Sequence, residues 1–301
     1  MDPIIEKYAA NRTRQPTTLN AYRYRLNCWR RFNCSSADEF RKVASRHIAP
    51  STIEDVVKGM ITLGVISALG TPLECPEPQP CPPSMEDIGR AYAAAHVATW
   101  PVRLTPEERQ NWWQAFIVVS LWTGARLSDI AALEWDAISS RGIRFQAKKT
   151  SKPHYLPLNK TLDRHLSKIH FSPTKVLWLT NSPKQLRDQW KAICVEAKIE
   201  PFTVNKSFRQ ASITMWSIAN PKAGELIHGC GTLKGTSRIL NHYLGQSLLE
   251  ETAKKIVLPP EMLTADERQQ LEDEEQELIR RYRTAPSQQR GFILQAARLT
   301  A

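Results

Sequence analysis

Apolar residues in the first quarter of the chain recur every three to four positions, which is the period of an α-helix. In the stretch TLNAYRYRLNCWRRF, the positions on one face are Leu19, Tyr22, Leu26 and Trp29. Ser36 is placed to cap a following helix, and the stretch PSTIEDVV, which begins at Pro50, signals another helix start. The pattern predicts a bundle of about four short helices.

The strongest helix signal is the stretch TPEERQNWWQAFIVVSLWTG. Thr105 is a good N-cap, Pro106 suits the first turn, and Gly124 is the residue type that ends helices. A second helix is expected to start at Leu127. The chain therefore passes from one helix to the next over a very short connection.

A different period follows in GIRFQAKKTSKPHYLPL, where apolar and polar residues alternate. Alternation is typical of a half-buried β-strand, and TSKP is a turn composition, so the stretch predicts a β-hairpin. Beyond it, the apolar spacing predicts helices over residues 183–198, 203–219, 236–246 and 248–256.

Six prolines fall within the twelve residues PLECPEPQPCPP, a composition that favours an extended linker over a packed core. We therefore expect a mainly α protein with a small β-hairpin and two domains. The predicted parts are a helical N-terminal domain at 1–70, a linker at 71–84, an α+β domain at 85–262 and a tail at 263–301. The tail predicts an acidic amphipathic helix and then a short apolar helix from about 292 to 299.

The charge balance favours a polyanionic partner. The 301 residues carry 41 Lys and Arg against 30 Asp and Glu, a net charge of +11. Residues 11–31 hold six arginines and no acid, and residues 137–162 hold six cations and no acid. A merely basic enzyme is the alternative interpretation.

Other classes find no support in the sequence. No apolar run approaches the length of a membrane span, and the N-terminus lacks a signal-peptide core, so a cytoplasmic protein is expected. The six cysteines form no CxxC pair and have no histidine at ligand spacing. We therefore expect reduced thiols, no metal site and no cofactor.

Arg126 raises a specific question, because it interrupts the apolar stretch SLWTGARLSDIAALEW. A buried guanidinium is costly unless it meets an anion or several acceptors. Either it pairs with Asp129, its i+3 neighbour, or it binds an anion that the chain does not contain.

The order of TGARLSD, KKTSKP, KSFR and HYLGQS resembles the tyrosine recombinase (phage integrase) family, up to about residue 260. TGARLSDIAALEW is similar to the family's Thr-Gly-x-Arg-x-Ser-Glu-Leu motif. The sequence around HYLGQS is similar to the corresponding sequence of planctomycete-type members. The resemblance implies a helical core-binding domain and a catalytic-type domain that close around double-stranded DNA, with the Pro-rich linker as hinge. The implied contacts to DNA are Arg12, Arg14, Arg23, Arg25, Arg30, Arg31, Arg144, Lys148 and Lys152.

The family's chemistry gives roles to the matching residues. In the family a tyrosine attacks a DNA phosphodiester without metal, two arginines bind the nonbridging oxygens, and a hairpin lysine protonates the leaving oxygen. Arg126 and Arg209 match the two arginines, and Lys149 matches the hairpin lysine. Lys206 stands where histidine is usual, one helical turn before Arg209, and Asp129 matches the acidic residue that orients the site.

The last motif departs from the family. Gln246 stands where relatives have histidine, and the position of the nucleophilic tyrosine falls on Lys255 or Ile256. Neither side chain can form a phosphotyrosyl bond. The sequence therefore predicts a pseudoenzyme that binds DNA in recombination or integration but has lost strand cleavage.

Two alternatives stay open. The chain is an active site-specific recombinase if a displaced tyrosine, Tyr282 or Tyr243, supplies the nucleophile. It is a helical transcription regulator if Arg126 is paired internally and no hairpin lysine lies near it. In relatives the tail often docks into a neighbouring protomer. Residues 264–301 would therefore either support a homo-oligomer on DNA or fold back onto their own domain. A DNA-binding protein of this kind would be associated with the nucleoid.

Overall fold

The structure, a computed structural model, describes residues 2–10, 16–74, 82–148, 153–177, 183–228 and 238–284. The side chains of 17, 183, 205, 228 and 238–245 also lie outside the description. The chain divides into two compact units, Met1–Gln79 and Pro80–Ala301. The prediction of a mainly helical protein with a small antiparallel sheet is confirmed.

The first unit consists, in its described part, of the helices α1 (Pro3–Ala10), α2 (Pro16–Phe32), α3 (Ala37–Ala44) and α4 (Pro50–Thr62). The predicted apolar face of α2 is confirmed, because Leu26 and Trp29 are buried and Trp29 stacks on Phe40 at 4.8 Å between ring centroids. Ser36 caps α3 by accepting the backbone N–H of Glu39, as predicted.

A buried ion pair joins α3 to α4. Arg41 donates from Nε and Nη2 to the two carboxylate oxygens of Glu54, at 2.6 and 2.9 Å. Arg41 also donates to the carbonyl of Leu69 at 2.5 Å, and Glu54 accepts the N–H of Leu73 at 3.0 Å. The chain that leaves α4 is therefore held on the first unit as far as residue 73.

The second unit is built around α6 (Pro106–Thr123), which follows α5 (Met85–Ala93). Thr105 and Glu108 form the capping box at its start, and Gly124 ends it in the left-handed conformation, with φ of 55°. Both predicted ends are thus confirmed. Eleven residues of α6 are buried, and two of them, Trp112 and Phe116, stack at 5.5 Å.

The sheet comprises β1 (Ile138–Ser139), β2 (Gly142–Gln146) and β3 (Pro153–Pro157), in that order and antiparallel. Ile143 lies opposite Leu156, and both are buried. The predicted hairpin is confirmed in its two strands, whereas the turn at 149–152 lies outside the described residues.

The remaining helices are α7 (Leu127–Ile130), α8 (Lys160–Ser167), α9 (Pro183–Glu196), α10 (Val204–Ala219), α11 (Pro221–His228), α12 (Arg238–Ala253) and α13 (Ala265–Thr284). Of these helices, α8 and α10 pack against α6, and α12 packs against β3. The prediction of two helices over 236–256 was wrong, because α12 runs through Gly245 without a break. A glycine inside a helix costs only about 1 kcal/mol, which neighbouring packing can offset.

The tail prediction is confirmed for its first helix, α13, whereas the helix expected over 292–299 lies outside the described residues. Helix α11 was not predicted. No helix in the described part of the chain combines the length and the apolar character needed to cross a membrane.

Candidate functional site

Arg126 lies at the junction of α6 and α7, where its extended backbone (φ −69°, ψ 151°) forms the N-cap position of α7. The left-handed turn at Gly124 reverses the chain just before it. The side chain of Arg126 keeps 30% of its surface exposed. The cation is therefore half-buried at the end of the central helix and open to solvent on one side.

Asp129 ties Arg126 to the hairpin. Its carboxylate is 2% exposed, and Oδ2 lies 3.9 Å from Nη1 of Arg126, which is an ion pair too long for a hydrogen bond. The other oxygen, Oδ1, accepts the backbone N–H of Lys148 at 3.0 Å. One buried carboxylate therefore holds the backbone just beyond β2 and lies within ion-pair distance of Arg126.

Arg209 reaches the same end of α6 from α10. Its Nη1 donates to the carbonyl of Gly124 at 2.5 Å, two residues before Arg126. Lys206 lies one turn earlier on α10 and is exposed. The fold thus brings together the two arginines that the sequence singled out, with a lysine on the adjacent turn.

Several supporting groups escaped the sequence analysis. Thr123 Oγ1 donates to the Val119 carbonyl at 2.7 Å and accepts the N–H of Ala125 at 3.1 Å, which shapes the turn before Arg126. The indole of Trp216 donates to the Trp122 carbonyl at 3.0 Å, and the indole of Trp122 to the Pro157 carbonyl at 2.9 Å. These bonds link α10, α6 and β3, and the abundance of tryptophan was their only sequence signal.

The residues at the expected tyrosine position lie beyond the end of α12. Lys255 is exposed and Ile256 is half-buried. Both line a groove of about 340 Å³ whose wall also includes Met215, Ile218 and Val257. This surrounding is mainly apolar, and the described residues that line it include no tyrosine. Gln246 is half-buried on α12, two turns before that helix ends.

The tyrosines of the second unit occupy different settings. Tyr92 is buried and donates to Nε2 of His165 at 2.7 Å, because His165 Nδ1 donates to the Thr161 carbonyl. Tyr155 lies on β3, and Tyr282 is half-buried near the end of α13. The side chain of Tyr243 lies outside the description.

The cations assigned to DNA contact differ in their surroundings. Arg144 and Lys148 are exposed on the hairpin. Three others, Arg12, Arg14 and Lys152, lie outside the described residues, as does Lys149, the predicted hairpin lysine of the site.

Helix α2 contains four arginines and no acid. Two of these arginines lie beside acids from other parts of the first unit. Arg30 pairs with Asp2 and holds the pKa of that carboxyl below its usual range. Arg25 lies 3.7 Å from Asp55. Arg31 is exposed, and Arg23 donates to Asn20 Oδ1 at 2.9 Å rather than to an acid.

Among the described residues, no group of three or more His, Cys, Asp or Glu side chains is arranged to hold a metal ion.

No protein-family model matches the sequence, and no curated protein matches it either. Solved structures do resemble it in fold. A lambda integrase dimer bound to a COC′ core site has a TM-score of 0.59 at 14% identity and covers 74% of this chain and 92% of its own. A lambda integrase bound to DNA has a TM-score of 0.59 at 14% identity, with coverages of 78% and 93%. The XerH site-specific recombinase bound to difH substrate gives 0.52 at 14% identity, with 83% of each chain covered.

At such low identity, the likeness is one of fold. The chain has the fold of the tyrosine recombinases and integrases, with the small antiparallel sheet and the surrounding helices of their catalytic domain. The fold predicted from the resemblance is confirmed.

Proposed function

We propose that the chain is a DNA-binding protein of the tyrosine recombinase class that grips a DNA phosphate and does not cleave the strand. The observation that carries this proposal is the convergence of Arg126 and Arg209 on one end of α6, with the buried Asp129 between Arg126 and the hairpin. The proposed process is DNA recombination or integration.

The charge balance of this cluster favours an external anion. The carboxylate beside Arg126 among the described residues, Asp129, lies at 3.9 Å, too far for a hydrogen bond, and two further cations, Arg209 and Lys206, lie on the adjacent helix α10. Guanidinium groups bind phosphate oxygens through paired N–H donors, and such charge-assisted bonds are among the strongest in proteins. In this proposal, a DNA phosphate supplies the close acceptors that Arg126 does not receive from Asp129.

The contact between Lys148 and Asp129 favours the recombinase class over a transcription regulator. The regulator hypothesis required that no hairpin lysine lie near Arg126. The backbone of Lys148 instead bonds to the acid that pairs with Arg126. By the family resemblance, we propose Lys149, the next residue in the sequence, as a further cation for the same phosphate; it lies outside the described residues.

The loss of cleavage follows, in this proposal, from Lys255 and Ile256. A lysine and an isoleucine in an apolar groove cannot form a phosphotyrosyl bond. Binding through phosphates needs no nucleophile, so affinity and orientation survive the loss of chemistry.

The exposed side of α2 is proposed as a second contact to the DNA backbone. Arg23 and Arg31 belong to this surface, together with Tyr24, which is 64% exposed. Arg25 and Arg30 lie beside Asp55 and Asp2, so we expect them to contribute less.

The test combines selection and trapping. The purified chain first selects duplexes from a random library, and the enriched sequences are then made with a nick that traps any covalent intermediate. We expect salt-sensitive retention and no protein–DNA adduct on a denaturing gel. An adduct that disappears in Tyr282→Phe or Tyr243→Phe would establish the active recombinase instead. Failure to retain any duplex at low salt would overturn DNA binding itself.

A further inference from the structure

The contact between the hairpin and α12 has no role in the site as described so far. Within the described sheet, β3 pairs with β2 along one side, and α12 packs against β3. The hydroxyl of Tyr155 on β3 lies 2.8 Å from Glu250 Oε1 on α12 and 2.7 Å from the carbonyl of Arg141. Residues 95 positions apart are joined at this point.

The chemistry of Tyr155 suits a fixed hydrogen-bond donor. Burial and the Glu250 carboxylate raise the pKa of Tyr155 to about 12, so the phenol keeps its proton near neutral pH. That single proton is shared between two acceptors, Glu250 and the Arg141 carbonyl. The guanidinium of Arg144, the cross-strand partner of Tyr155, lies 5.3 Å from the centre of its ring.

The pair lies between two parts of the proposed phosphate site. On α12, Glu250 and Gln246 are i and i+4 neighbours and therefore share a face. On the hairpin, β2 ends just before Lys148, whose N–H is held by Asp129. The hairpin is thus fixed at one end to Asp129 and along β3 to the face of α12 that carries Gln246.

We propose that Tyr155 and Glu250 are positioning residues for phosphate binding, which hold the described hairpin cations, Arg144 and Lys148, in register with Arg126 and Arg209. This inference rests on the proposed function. The two residues act through the hairpin and do not touch DNA themselves. Loss of their bond lets the hairpin and α12 move apart, and the cations then spend less time at the phosphate.

The first measurement is DNA affinity by fluorescence anisotropy on a selected duplex. We expect Tyr155→Phe and Glu250→Ala to weaken binding about fivefold each, whereas Glu250→Gln keeps an acceptor oxygen and recovers most of the loss. Tyr92→Phe is the matched control, because it removes a buried hydroxyl that bonds to His165 and not to the hairpin. It should lower thermal stability and leave DNA affinity unchanged.

A double-mutant cycle distinguishes positioning from a general loss of stability. If Tyr155 acts through the hairpin, its effect on affinity should shrink to less than about twofold in a Lys148→Ala background. Independent, additive effects would overturn the proposal, as would a Tyr155→Phe variant that changes melting temperature but not affinity.

Hydrogen exchange separates failure of this inference from failure of DNA binding. Without DNA, Tyr155→Phe should speed amide exchange in β2 and β3 by about fivefold, whereas Tyr92→Phe should not. Unchanged exchange overturns the pairing even if the chain binds DNA. Faster exchange in a chain that retains no DNA would preserve the contact but remove its proposed role.

Discussion

Two arginines in this protein, Arg41 in the first unit and Arg126 in the second, are both withdrawn from solvent but are satisfied very differently. The Arg41 side chain is 4% exposed and forms a bidentate salt bridge with Glu54. It also donates a hydrogen bond to the Leu69 carbonyl. Arg126 is 30% exposed, and the acid beside it in the described structure, Asp129, lies at 3.9 Å. One carboxylate oxygen of Asp129 also accepts a hydrogen bond from the hairpin backbone, at Lys148 N–H.

The difference separates a cation that stabilises the fold from one that is available to a ligand. The acceptors that meet Arg41 are all supplied by the first unit, so an external anion would have to displace them. Arg126 keeps 30% of its side-chain surface exposed, and Arg209 and Lys206 approach the same end of α6 from α10. Low exposure alone therefore does not distinguish the two arginines, and it is the incomplete pairing of Arg126 beside other cations that supports its proposed role in binding.

The largest expected effect is on stability, in Arg41→Ala. This change leaves the buried Glu54 carboxylate without its partner, which costs about 3–5 kcal/mol. Arg126→Ala, in contrast, should cost less than about 1 kcal/mol. Urea unfolding followed by hydrogen exchange in α3 and α4 measures the first effect. A loss below about 1 kcal/mol in Arg41→Ala would contradict the contrast.

Gly124→Ala should have the next largest effect. A Cβ at this left-handed residue would meet Ser212 Oγ at 2.8 Å, so strain and a clash combine to cost about 1–3 kcal/mol. Gly64→Ala is the control, because Gly64 has a similar φ of +70° and open space around it. Its cost should stay near about 1 kcal/mol, from strain alone. Equal melting temperatures for the two variants would show that the Ser212 contact is unimportant.

Acid should affect the two units at different pH, and this effect is the smallest. Burial lowers the pKa of His165 in the second unit, so protons bind preferentially to the unfolded chain and stability falls once the pH drops below 6.5. Arg41 lowers the pKa of Glu54 in the first unit, so its contribution is present above pH 4.5 and is lost as the pH falls through the lower folded value. Exchange rates measured from pH 8 to 4 should rise first in α8, and an earlier rise in α4 would contradict this order.

Local signals allowed much of the fold to be predicted. Thr105 and Gly124 bounded α6 because caps and left-handed glycines act within a few residues, and this fixed the junction that carries Arg126. The split of α12 was wrong for the opposite reason, since tertiary packing overrides the local cost of Gly245.

Candidate site residues could be predicted where they belong to a sequence motif, whereas contacts between distant elements of the fold could not. Arg126 and Arg209 followed from their motifs. The bond between Tyr155 and Glu250, like that between Arg41 and Glu54, joins residues on separate elements, and no spacing rule predicts such a contact.

The most direct test of the account is the salt dependence of DNA affinity for Arg126→Ala beside Arg90→Ala. Arg90 is an exposed cation of the same unit that already bonds to Asp87 at 2.6 Å. Between about 50 and 200 mM salt, each phosphate contact contributes about 0.9 to the slope of log affinity against log salt. We expect the slope for Arg126→Ala to fall by about one phosphate contact and the slope for Arg90→Ala to keep the wild-type value. Identical slopes for wild type and Arg126→Ala would contradict the claim that Arg126 binds a DNA phosphate.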